Sequence, residues 1–116
     1  DIQILGIGSN GHIAFNEPGS ALESRTRRIE LTERTRRDNS RFFDGDVDKV
    51  PTHAVTQGLA TIMEARELVL VAMGEGKAEA VCELIHGEPH PEVPATALHY
   101  HPKATVVVDE AAADGV

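Results

Sequence analysis

The sequence has no tryptophan, one tyrosine and three phenylalanines in 116 residues, so its core must be built from Val, Leu, Ile and Ala. It has one cysteine, Cys82, which rules out an internal disulfide. Cys82 lies in an apolar helical pattern, which favours a small core residue over a reactive thiol. No apolar run approaches the roughly 18 residues of a membrane span, and no signal-peptide pattern opens the chain, so a cytoplasmic enzyme is the default expectation. Positive charge is also scarce. Eleven Lys and Arg stand against nineteen Asp and Glu, and the net charge of −8 argues against general affinity for nucleic acid. Seven of those eleven cations nevertheless lie between Arg25 and Arg41, a cluster that suits a small anionic ligand as readily as a solvated helix face.

The first twenty residues, DIQILGIGSNGHIAFNEPGS, organise the rest. Ile2, Ile4, Leu5 and Ile7 form a short apolar run broken by Gly6 and Gly8, as a buried strand meeting a tight turn would be. Asn10, His12, Asn16 and Glu17 then collect where that strand ends, which is where open α/β sheets bind ligands. Gly6, Gly8 and Gly11 match G-x-G-x-x-G, and Glu30 sits near the place of a ribose-binding acid. A dinucleotide site also requires a helix opening at the third glycine, and Pro18-Gly19 leaves no room for one.

Further along, Arg27–Leu31 reads as a short edge or flap strand, Thr32 as the cap of a helix running to about Arg37, and Asp44-Gly45-Asp46 as a turn. Pro51–Val55 reads as a connection and Thr56–Ala65 as a helix with Leu59, Ile62 and Met63 at helical spacing. Glu67–Met73 is nearly all apolar, as expected of a parallel strand covered on both faces. It passes through Gly74-Glu75-Gly76-Lys77 into a helix ending near Ile85. Converging backbone N–H groups, a helix N-terminus and a lysine suit an anion there. Gly87–Pro94 reads as a loop, Ala95–Tyr100 as a helical turn, Ala104–Asp109 as a last strand, and the final DEAAADGV as the start of a helix. The alternation predicts an α/β fold, a mainly parallel sheet flanked by helices in the Rossmann-like manner. His86 and His90 have the spacing of a metal pair, but Gly87 and Pro89 between them break that helix.

The string LGIGSNGHIAFNEPGS resembles the signature of glucosamine-6-phosphate deaminases, in the superfamily that also holds 6-phosphogluconolactonases. The similarity continues through SRTRRIELTERTRRDNSRFF, VPTHAVTQGLATIMEARELVLVAMGEGKAEAV and LHYHPKATVVVDE. It implies conversion of glucosamine 6-phosphate to fructose 6-phosphate and ammonia, with no cofactor and no metal, in a homo-oligomer whose partner is a small sugar phosphate. It also implies His12 as the acid/base of ring opening, Glu17 as its carboxylate partner, and Arg41 and Lys77 as phosphate ligands. From the residues alone, His12 reads equally as a structural histidine, and Arg41 and Lys77 as surface charges.

Asn10 stands where several deaminases carry an aspartate, which predicts retuned activity: an amide can orient an imidazole but cannot stabilise an imidazolium by charge. Ser20 and Arg27 match a segment that binds an allosteric anion in regulated members. Ala21 and Ile29 replace the serine and lysine those members tend to show, so weak or absent activation is expected. The resemblance puts the proton-abstracting aspartate in an N-terminal half outside this sequence. The 116 residues therefore read as the C-terminal part of a larger domain, inactive alone. The competing readings are a lactonase-type hydrolase, a non-catalytic sugar-phosphate sensor and a dinucleotide-binding oxidoreductase.

Overall fold

A computed structural model describes all residues, 1–116. Three parallel strands form the main sheet in the order β1 (Ile2–Leu5), β4 (Glu67–Ala72), β5 (Ala104–Val108). Leu5 lies opposite Leu70, and Leu70 opposite Val106. Parallel neighbours need crossovers, and the crossover to β5 carries helix α3 (Ala78–His86) followed by a 3₁₀ stretch, Pro94–Tyr100. Between β1 and β4 lie a second, antiparallel pair, β2 (Arg27–Glu30) with β3 (His53–Thr56), and two short helices, α1 (Glu33–Asn39) and α2 (Leu59–Met63).

The core forms on one face of the main sheet. Leu5, Leu68, Leu70 and Ala72 pack in one cluster with Leu59 and Ile62 of α2, Val81 and Leu84 of α3, and Ala95 and Leu98 of the 3₁₀ stretch. Cys82 is half-buried on α3 with its Sγ 3.5 Å from the Gly115 carbonyl. His99 and His101 donate their Nε2–H groups to the carbonyls of Leu84 and Ala65, tying the last crossover to the elements beneath it.

Three expectations change. The segment read as a connection, Pro51–Val55, holds the first three residues of strand β3, whose His53 pairs with Glu30 and whose Thr56 pairs with Arg27. The helix expected from Thr56 begins at Leu59. Thr56 is committed to the strand, and Gly58 lies so close to the Ser24 backbone that a Cβ would collide with it. Ser24 then accepts from Leu59 N–H (3.0 Å, Oγ) and Ala60 N–H (2.9 Å, carbonyl). Strand β4 is covered on one face, not both: Leu68, Leu70 and Ala72 are buried while Val71 is 37% exposed, and on the same side Ile4 is 68% and Val107 50% exposed.

Candidate active site

The C-terminal ends of β1 and β4 lie side by side, so the loops that leave them share one rim. Lys77 joins the two loops directly: its ammonium donates to the Ile7 carbonyl at 2.6 Å. One hydrogen-bonding direction is thereby used, and two remain for a ligand. Between the loops opens a cleft of about 610 Å³, lined by His12, Arg41 and Lys77 together with Gly8, Thr35 and Asp38. Arg41 reaches it from the 3₁₀ turn Ser40–Phe43, its guanidinium 4.7 Å from the centre of the Phe42 ring. The two cations singled out in the sequence thus face the same space as the histidine.

The glycine run opens no helix. Gly8 N–H donates to the His12 carbonyl (2.9 Å), and Gly11, at φ +87°, donates to the Gly8 carbonyl (2.9 Å), which folds the chain back on itself. A Cβ on Gly8 would fall on the His12 ring, so only glycine lets the imidazole lie against this backbone. Ile13 and Asn16 then form an isolated bridge across Ala14 (φ 51°), a turn in the place a dinucleotide site would need its helix.

Hydrogen bonding fixes the protonation geometry of His12. Asn10 Oδ1 accepts from the His12 backbone N–H (3.2 Å) and lies 2.7 Å from His12 Nδ1, so it must be the amide oxygen, and Nδ1 carries the hydrogen. Nε2 is then the basic nitrogen of the neutral ring. Asn10 Nδ2 donates to Glu17 Oε2 at 2.9 Å, and that oxygen is 3.7 Å from His12 Nδ1. Burial holds the His12 pKa below its ordinary 6.5: the opposing charges of Glu17 and Asp38 push it upward, but desolvation outweighs them and Lys77 and Arg34 add to the downward side.

Ser20 and Arg27 lie together but apart from the cleft lining. Arg27 donates to Asn16 Oδ1 (2.9 Å), to the Arg25 carbonyl (3.3 Å) and to Ser20 Oγ (3.5 Å), while Ser20 Oγ donates to the Glu17 carbonyl (2.7 Å). Asn16 is fully buried and donates to the carbonyls of Ile13 and Gln57, so it pins the loop between the two sheets.

Sequence reading missed Thr35 and Asp38. Thr35 is 3% exposed on α1 and donates its hydroxyl to Glu17 Oε1, and Asp38 reaches the cleft one turn later. The signal was present in the spacing of Thr32, Thr35 and Asp38, which places them along one side of a helix.

Residues 1–108 match the family described as glucosamine-6-phosphate isomerases/6-phosphogluconolactonase. Similar curated proteins include glucosamine-6-phosphate deaminases of Beutenbergia cavernae, 65% identical over 113 residues, and Mycolicibacterium smegmatis, 64% identical; both alignments take 97% of this chain and 43% of the relative. Among solved structures, a monomeric glucosamine-6-phosphate deaminase superposes with a TM-score of 0.94 at 47% identity, covering 98% of this chain and 47% of its own. The 6-phosphogluconolactonase of Trypanosoma brucei superposes with a TM-score of 0.76 at 25% identity, covering 100% and 42%. The chain spans less than half the length of these relatives.

Proposed function

This chain belongs to the glucosamine-6-phosphate isomerase/6-phosphogluconolactonase family, and on that premise we propose that it supplies the ring-opening and phosphate-binding part of a glucosamine-6-phosphate deaminase. The observation that carries the reading is the single cleft into which His12, held by Asn10 and Glu17, opens beside Arg41 and Lys77. Two cations suit a dianionic phosphate. At the sugar ring, His12 Nε2 takes the proton of the anomeric hydroxyl and a proton is returned to the ring oxygen, which frees the aldehyde. Abstraction of the C2 proton, its return at C1 and hydrolysis of the resulting imine release ammonia and fructose 6-phosphate, with one water consumed.

Asn10 changes the ring-opening step in a definite way. It orients the imidazole through Oδ1 and relays to Glu17 through Nδ2, so the anionic group nearest the imidazolium that forms is Glu17. The proposal extends to the arrangement of the whole: these residues are the C-terminal part of one cytoplasmic domain, the C2 base lies in the N-terminal half, and the 116 residues alone are inactive. Ser20 and Arg27 form an anion site with weak or absent activation, since Ala21 and Ile29 replace the serine and lysine of regulated members and three of the five Arg27 N–H donors already go to Asn16, Arg25 and Ser20. A homo-oligomer completes the proposal; the monomeric relative argues the other way, and sedimentation velocity of the chimera described next decides it.

The test replaces the matching residues of the Beutenbergia cavernae protein with this chain. The chimera is expected to form ammonia and fructose 6-phosphate in equal amounts from glucosamine 6-phosphate. Its His12→Ala variant should lose on the order of 10²-fold or more in kcat, the usual contribution of a positioned acid/base. Hydrolysis of 6-phosphogluconolactone without ammonia release would move the reading to the lactonase branch, and binding without turnover of either would move it to a sensor.

A further inference from the structure

Glu17 is a long side chain, and a carboxylate that is to hold a catalytic imidazole must itself be held. Its two oxygens are engaged from opposite sides. Oε2 takes the Asn10 amide N–H at 2.9 Å, and Oε1 takes the hydroxyl of Thr35. A carboxylate has no hydrogen to give, so the Thr35 hydroxyl must be the donor. Its oxygen in turn accepts from the Thr32 hydroxyl at 3.0 Å, and Thr32 Oγ1 accepts from the Thr35 backbone N–H at 3.1 Å. The Thr35 carbonyl accepts from Asn39 Nδ2 at 2.8 Å, and Thr35 is the one buried residue of α1. Every donor from Thr32 through Thr35, and from His12 through Asn10, thus points toward Glu17. Cooperative polarisation along such a chain strengthens each member.

We propose that Thr35 is a positioning residue for the ring-opening group: its hydroxyl, anchored in the first turn of α1, fixes Glu17 in the orientation that holds Asn10 and, through it, the Nδ1–H form of His12. The same helix runs into the turn that bears Arg41, so the element that offers a cation to the phosphate also sets the carboxylate at the ring end. The purpose of this link rests on the deaminase reading, but its existence is measurable without turnover. A merely structural threonine would be replaced by the isosteric valine at little cost to His12. A positioning threonine would not.

The experiment uses this chain labelled with ¹⁵N-histidine, in which the His12 ring resonances, identified by their loss in His12→Asn, report tautomer and titration directly. The charged groups that face His12 are Glu17 from its own loop, Asp38 and Arg34 from α1, and Lys77 from the turn after β4; all remain in the Thr35 variants. The unmodified chain is expected to show the Nδ1–H tautomer, and Glu17→Ala to lose it. Thr35→Val should follow Glu17→Ala, with a mixture of tautomers and a shifted titration, while Thr35→Ser should restore the original pattern. If Thr35→Val loses its dispersed amide spectrum, the Thr35→Ala and Thr35→Ser pair makes the same comparison, hydroxyl absent against hydroxyl present. Retention of the Nδ1–H form in folded Thr35→Val or Thr35→Ala would overturn the proposal. So would its retention in Glu17→Ala. In the chimera, Thr35→Val should lower kcat by on the order of 10-fold with a smaller change in KM, as a displaced catalytic group does. A chimera that releases no ammonia would sink the deaminase reading while leaving the nitrogen spectra to decide the link.

Discussion

His12 shows how opposing effects at one side chain are decided by magnitude. Glu17 and Asp38 favour the imidazolium, yet with 22% of the side chain exposed the loss of hydration outweighs them, and Lys77 and Arg34 push the same way as burial. The folded chain therefore keeps His12 neutral to a lower pH than the unfolded chain does. As pH falls through the unfolded value of 6.5 toward the folded one, the unfolded state takes up the proton first and stability is lost; above 6.5 the group costs nothing. His12→Gln should remove this component. Urea midpoints at pH 7.5 and 5.5 check it: the drop on acidification should be smaller in His12→Gln, and parallel curves would show that burial does not dominate. The gathering of Asn10, His12 and Glu17 at the end of β1 was legible in the sequence, while their roles came from the family resemblance. The balance at His12 was not legible, since it sets burial against charges that come from α1 and from the turn after β4, far from the loop in sequence.

At the scale of elements, local rules worked where one chemical signal was strong. Thr32 caps α1 as expected, its hydroxyl accepting from Thr35 N–H, and Thr32→Ala should cost about 1 kcal/mol by thermal or urea unfolding. A value near zero would mean that α1 is held by Thr35 and Arg36 alone; Arg36 donates to the carbonyls of Val47 and Val50. Strand β4 was legible from its apolar run. Strand β3 was not, because Pro51 and exposed His53 and Val55 give no apolar alternation, and its pairing is set by β2 across a separation no local window spans. The turn from Gly74 to Lys77 was read as one suited to an anion, but what holds it in place was hidden. Asp109, just past β5, accepts from the N–H groups of Ala112 (2.8 Å) and Gly74 (3.1 Å), and these bonds hold its carboxyl below the usual range. Gly74 sits at φ +91°, which glycine adopts without steric cost, and the carboxylate holds its N–H at the entry to the turn. Asp109→Ala should therefore weaken sugar-phosphate binding by the chimera several-fold with ring-opening geometry intact. Calorimetry that finds unchanged affinity would show that the turn stands without it.

For the molecule as a whole, the sheet is the feature to explain. Its Cα radius of gyration of 14.0 Å is close to the roughly 13 Å of a compact chain this long, and no helix is long and apolar enough to cross a membrane, yet one sheet face carries Ile4, Val71 and Val107 into solvent. The apolar run of β4 was read as a strand covered on both sides. That pattern belongs to the arrangement proposed here, in which the remaining length of the family's domain supplies the second layer. The two settings predict opposite responses to one change. Ile4→Thr with Val107→Thr keeps β-branched side chains in both strands, so strand propensity is little altered. In the 116-residue chain the double variant should bind less of a hydrophobic dye and associate less at high concentration, with its unfolding midpoint nearly unchanged, because the methyl groups removed are exposed. In the chimera the same double variant should lose roughly 2 to 5 kcal/mol, since each hydroxyl would then be buried in an apolar layer. Equal stability of the chimera with and without the substitutions would mean that nothing covers this face, and the proposed place of the chain within a larger domain would fall with it.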